Sequence, residues 1–65
     1  MKRKDLERDL LKLGWWFKRH GGAHDIWTNG DLNKPIPRHN EINEGLVKKI
    51  LRDAMDNPGH KEEEA

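Results

Sequence analysis

Two turn signals a few residues apart limit the folds open to this chain more than any other feature. Gly21-Gly22 offers positive φ at low cost, and Asn29-Gly30-Asp31 carries the residue types that tolerate it, as the central positions of tight hairpin turns require. Residues 23–28 lie between them, with room for one short strand in which Ile26 faces one way and Trp27 the other. A strand is therefore expected before the first turn, over Trp15 to His20, where three aromatics are followed by Lys18, Arg19 and His20. Another is expected after the second turn, through Lys34-Pro35-Ile36-Pro37-Arg38. Two prolines so close together cannot both donate to a central ladder, so this third strand is expected at an edge of the sheet or as an irregular one.

Helical patterns flank the strands. From Lys4 to Leu13 the leucines fall at 6, 10, 11 and 13 with charged residues between them, an amphipathic stripe that Gly14 stops. Near the other end, Asn43 is placed as an N-cap, with Ile42 before it and Val47 in the first turn as a hydrophobic staple. Leu46, Val47, Ile50, Leu51, Ala54 and Met55 then form an apolar face through to about Asp56, and Pro58-Gly59 ends it. The fold class this predicts is α+β, in the order helix, three-stranded antiparallel sheet, helix. Both stripes are buried most economically by laying the two helices on one face of the sheet, which leaves the other face open. Phe17, Ile26 and Ile36 are assigned to the core. Trp27, with Trp16, is assigned to the open face or a protein interface.

Length and composition narrow the function classes. Sixty-five residues hold one domain at most, read as residues 1–56, followed by an acidic and flexible tail over 57–65. The absence of cysteine rules out a disulfide framework and thiolate metal sites. No apolar run approaches the roughly 20 residues that span a bilayer, and Met1-Lys2-Arg3-Lys4-Asp5-Leu6 lacks the apolar stretch of a signal peptide, so a soluble, cytoplasmic protein with no membrane partner is expected. The formal net charge is +1, but residues 1–60 carry 12 basic against 9 acidic side chains, and the remaining charges are Lys61 and three glutamates. A basic body with an acidic tail points weakly to a polyanion.

Four histidines are many for such a chain, and His20, His24 and His39 all fall in the sheet region. Histidine alone has an unperturbed pKa near neutrality, so it can both take and give a proton there. These three are the candidates for catalysis, against the plainer reading that a surface histidine near a turn does nothing. A metal site is the weaker use of the same residues, since a glycine turn separates His20 from His24 and no third ligand stands at a fixed spacing. Neither a metal nor another cofactor is expected. With no serine or cysteine, and Thr28 without an evident base, nucleophilic catalysis has little support. Lys18, Arg19, Lys34 and Arg38 are interleaved with Trp15, Trp16 and Trp27, the mixture with which proteins hold single-stranded RNA.

Taken in order, these pieces resemble the HicA-type toxins, small ribonucleases of bacterial toxin–antitoxin pairs. The similarity runs from Lys2 to Met55. It includes the leucine-rich first helix ending at Gly14-Trp15, the glycine turn followed by histidine at Gly22-Ala23-His24, and Trp27 shortly after. Pro37-Arg38-His39 and the helix through Leu46-Val47-Lys48-Lys49-Ile50-Leu51 complete it. The resemblance implies a fold like a double-stranded RNA-binding domain, metal-independent cleavage of mRNA, and a HicB-type antitoxin that covers the catalytic face. It implies no operator DNA binding by this chain alone. It makes His24 the catalytic residue, with Gly21 and Gly22 as the supporting turn. Lys18, Arg19, Lys34, Arg38, His39 and Trp27 become the RNA contacts. Many members have serine where this chain has Ala23, so no role for a hydroxyl beside the histidine carries over. A non-catalytic RNA-binding module and a protein-interaction domain remain as alternatives.

Overall fold

A computed structural model describes residues 1–59, in the order α1 (Arg3–Lys12), β1 (Trp16–Gly21), β2 (His24–Thr28), β3 (Asn33–Pro37) and α2 (Glu44–Asp56). The expected α+β class and element order are those observed. Of the tail expected over 57–65, residues 60–65 lie outside the described residues. Asn57 and Gly59 are held by backbone hydrogen bonds to α2 and to Leu13.

α1 buries Leu6 and Leu10, one turn apart, and places Arg3–Glu7 and Asp5–Arg8 ion pairs on its outer surface. It ends as Gly14 predicts. Gly14 takes φ +88°, its amide donates to Leu11 O, and the Trp15 amide donates to Leu10 O at 2.9 Å, the two bonds of a Schellman cap. That cap turns Trp15 inward over Leu10, and both side chains are buried. α2 starts at the Asn43 cap, whose Oδ1 accepts from the amides of Gly45 (2.8 Å) and Leu46 (3.3 Å). Ile42 and Val47 on either side of this cap are buried, as a hydrophobic staple requires. The start of the chain is fastened to the β3–α2 loop, where Arg3 N donates to Asn40 O and Ile42 N to Met1 O.

The three strands form an antiparallel sheet in the order β1-β2-β3, so β3 with its two prolines is an edge. Gly22 and Ala23 form the turn between β1 and β2, one residue later than the Gly21-Gly22 reading, and Gly21 belongs to β1. Gly22 alone has positive φ, +50°, the requirement at the first central position of a type II′ turn. The second hairpin closes through residues 29–32 and is held by a side chain: Asn29 Oδ1 accepts from Asp31 N (2.8 Å) and Leu32 N (2.7 Å). Asn29 Nδ2 also donates to Asn57 O, tying the loop to the end of α2.

One core joins α1, α2 and a single face of the sheet: Leu6, Leu10, Trp15, Trp27, Ile36, Ile42, Val47, Ile50 and Ala54. Ile36 is in the core as expected, and both helices lie on one face. β2 faces the opposite way from the expected parity. Trp27 is 4% exposed and belongs to the core, whereas Ile26 is half-buried on the other face. Both are apolar, so alternation alone leaves the parity open, and the helices take the side chain with the larger area to bury. Phe17, expected in the core, is 42% exposed. It does lie on the helix side, opposite Trp27, but β1 is an edge strand and the ring stands beyond the cover of the helices.

Candidate functional site

His24 is the first residue of β2 and lies in register with Gly21 of β1 and Pro37 of β3. Alternation puts it on the open face of the sheet, with Ile26 two residues on. Its side chain is exposed and makes no hydrogen bond or ion pair among the described residues. Gly22 supplies the bend that brings β2 back at this point, and Gly21 opposite leaves no side chain facing the histidine.

A β-bulge decides which basic residues share that face. The register slips between Phe17 and Arg19, which leaves Lys18 as the extra residue of β1. Without the bulge Phe17 and Arg19 would point the same way. With it, Phe17 opposes Trp27 on the helix side and Arg19 opposes Ile26 on the open side, with His24. Lys18 and Arg19 are both exposed. Lys34 is elsewhere: it opposes Trp27 on the helix side, and its Nζ bonds Asp53 Oδ2 of α2 at 3.1 Å, so its charge ties the sheet to a helix. Trp27 presents no ring to a ligand, because the core covers it. His39 is exposed in the loop after β3.

His20 and His24 occupy adjacent cross-strand pairs at the hairpin end but opposite faces. His20 opposes Asp25, and its Nδ1 lies 2.8 Å from Asp25 Oδ1. Arg38, the residue after β3, donates through Nε to the same oxygen at 2.9 Å. The hydrogen bond from His20, followed by that from Arg38, holds the Asp25 carboxyl below the ordinary carboxylate range, against the opposing effect of burial. Asp25 is thus an ionised, buried anchor for two side chains that reach solvent. Sequence reading overlooked it. A signal was present: with the turn centred on Gly22-Ala23, His20 and Asp25 become cross-strand partners, whereas a turn at Gly21-Gly22 pairs His20 with Ala23 and hides the carboxylate. Among the described residues no three histidine, aspartate or glutamate side chains are grouped as metal ligands.

The arrangement is an exposed histidine on an open sheet face, cations beside it, and two helices behind. The family model described as the HicA toxin of bacterial toxin–antitoxin systems matches residues 3–55, from the start of α1 almost to the end of α2. The chain belongs to the HicA toxin family. In HicA terms the match takes in α1, the sheet and all but the last residue of α2, and with them His24, the bulge and the Asp25 anchor. A HicA toxin is one half of a toxin–antitoxin system, so an antitoxin is the partner that membership of the family implies. No curated protein matches this HicA chain, and no solved structure does. No helix among its described residues is long and apolar enough to cross a membrane.

Proposed function

We propose that this chain is the ribonuclease of its toxin–antitoxin pair, cleaving mRNA with His24 as the proton-transferring residue and without a metal ion. The observation that carries the reading is the position of His24, exposed and unpaired at the mouth of the hairpin on the open face, within the stretch that matches the HicA toxins. RNA brings its own nucleophile. Removing the proton of a 2′-hydroxyl lets that oxygen attack the adjacent phosphorus, the bond to the 5′-oxygen breaks, and the leaving oxygen takes up a proton. The products are a 2′,3′-cyclic phosphate and a 5′-hydroxyl end.

His24 serves as general base or acid in this exchange, while Lys18 and Arg19 offset the charge that builds on the phosphoryl oxygens; Arg38 is held by Asp25 on the opposite face of the sheet and takes no part at this phosphate. Lys34 and Trp27 are left out of the RNA contacts, the first because it is committed to Asp53 and the second because it is buried. A HicB-like antitoxin seated on the open face would cover His24 together with the half-buried Ile26 and Trp16 on the same side. That explains in one step how such a partner silences the nuclease.

The test is cleavage of a labelled RNA by the purified protein and by His24→Ala. The variant should lose roughly 10²–10⁴ of the rate, the usual contribution of one proton-transferring side chain. An exposed residue without partners contributes little to stability, so His24→Ala should unfold within about 0.5 kcal/mol of the parent. Cleavage should survive EDTA. Undiminished cutting by His24→Ala would overturn the assignment, EDTA inhibition would overturn the metal-free chemistry, and binding without cutting would make the protein an RNA-binding module.

A further inference from the structure

The proposed chemistry leaves unused a cluster on the other side of the same hairpin end. Phe17 is an exposed aromatic on an edge strand, yet its ring is firmly seated. It stands edge-on to the buried indole of Trp27 at a centroid distance of 6.4 Å and lies 5.0 Å from the imidazole of His20. His20 is fixed in turn by Asp25, and Arg38 joins the same carboxylate through Nε. Both bonds use the inward nitrogen of each side chain. Nε2 of His20 and the two terminal nitrogens of Arg38 therefore have no partner among the described residues.

The surroundings of the ring decide what it suits. His20 lies against the Phe17 ring, Arg38 shares the Asp25 carboxylate that holds His20, and Lys18 follows in the chain; the other exposed large apolar side chains, Leu11, Leu32, Leu46 and Met55, stand on α1, the β2–β3 loop and α2. An apolar protein interface would call for a continuous patch. One rigid ring among cations is how single-stranded RNA is held, with a base stacked on the ring and the charges on the neighbouring phosphate.

We infer that Phe17, His20 and Arg38 form a nucleotide subsite for single-stranded RNA, separate from His24. The base stacks on the outer face of Phe17, and its phosphate accepts from the terminal nitrogens of Arg38 and from Nε2–H of the His20 imidazolium. Asp25 is the positioning residue that keeps both turned outward. That the bound strand is also the one cut rests on the ribonuclease reading; the binding itself does not.

The probe is a short fluorescein-labelled 2′-O-methyl oligoribonucleotide of mixed sequence, which binds but cannot be cut because it lacks the free 2′-hydroxyl. Anisotropy titrations compare the parent with Phe17→Ala, Phe17→Tyr and Arg38→Ala, each first checked by thermal melting. Phe17→Ala should weaken Kd roughly 5- to 150-fold, the range given by loss of one base–aromatic stack. Phe17→Tyr, which keeps the ring, should bind as the parent does. Arg38→Ala should lower the slope of log Kd against log salt by roughly 0.7, one phosphate contact on a single strand. In a set of probes with one abasic nucleotide each, one position should reproduce the Phe17→Ala loss and cost that variant nothing more.

Unchanged binding by Phe17→Ala overturns the subsite, as does an abasic series that weakens variant and parent equally at every position. So does a Phe17→Ala protein that binds RNA normally but no longer retains a co-expressed antitoxin, which would make the ring a protein contact. The two readings fail differently. Tight binding with no cutting by the parent overturns the ribonuclease, and cutting that survives His24→Ala overturns the role of His24; either result leaves the subsite standing. Cutting by the parent together with normal binding by Phe17→Ala does the reverse.

Discussion

Replacing Trp15 and Trp27 one at a time by phenylalanine tests whether the hydrogen-bond state of a buried indole, and not its burial alone, sets its contribution to this fold. The two residues are nearly equal in burial, at 1% and 4% exposed. Trimming either to phenylalanine removes the same atoms from the same core, a common loss of roughly 1–3 kcal/mol. What differs is the N–H. Trp15 Nε1 donates to Asn57 O at 2.9 Å and, at 3.4 Å, to Ala54 O, whereas Trp27 Nε1 is buried with no partner among the described residues. Trp15→Phe forfeits this shared bond but orphans neither acceptor, because Asn29 Nδ2 also donates to Asn57 O and the Asn57 amide to Ala54 O. The extra cost is then the net value of one hydrogen bond, roughly 1 kcal/mol.

Trp27→Phe instead deletes an unsatisfied donor and recovers its desolvation penalty, roughly 1–3 kcal/mol. The two variants should therefore differ by roughly 2–4 kcal/mol, with Trp27→Phe the more stable. At the 4–8 °C per kcal/mol typical of domains of this size, the gap in Tm is roughly 10–30 °C. Thermal melts followed by far-UV circular dichroism, with urea titrations as an independent measure of stability, resolve such a difference easily. Coincident melting curves, or a lower Tm for Trp27→Phe, would refute the reasoning.

Two further outcomes follow from the same hydrogen bonds. Asn29→Ala removes two acceptor bonds and one donor bond, so it should cost roughly 2–3 kcal/mol, while Asn29→Asp keeps the acceptor and should cost less; equal urea midpoints for the two variants would count against a keystone role for this side chain. Asp25 has its folded-state pKa depressed by His20 and then Arg38, so the stability it confers is present above its unfolded value and is lost as pH falls through the lower folded one. The Tm advantage of the parent over Asp25→Asn should accordingly shrink as the pH is taken below about 4, and an advantage that persists in acid would remove the ionised anchor from the account.

The position of His24 was legible in the sequence because it depends on local chemistry, a glycine turn with a histidine just beyond it and a strand to follow. The built environment at the same hairpin end was not. Whether His20 meets Asp25 depends on centring the turn at Gly22-Ala23, and a shift of one residue exchanges every cross-strand partner. Lys34 reads as an RNA contact in a list of basic residues. Only the parity of β3, which turns it toward Asp53 of α2, shows that its charge is already matched. Phe17 reads as core because phenylalanine is usually buried, and only its place on an outer strand beyond the helices exposes it.

Element order, helix limits and the α+β class were thus determined by the sequence itself. Caps, turns and periodicity act over a few residues, and Gly14, Asn43 and the two turn signals each state a local backbone preference that nothing distant opposes. The face on which Trp27, Ile26, Lys34 and Arg19 lie was decided only in three dimensions. A strand with apolar residues at consecutive positions satisfies alternation either way. The choice is made by the total area that two helices can cover, together with one bulge at Lys18 that moves Arg19 to the side of His24.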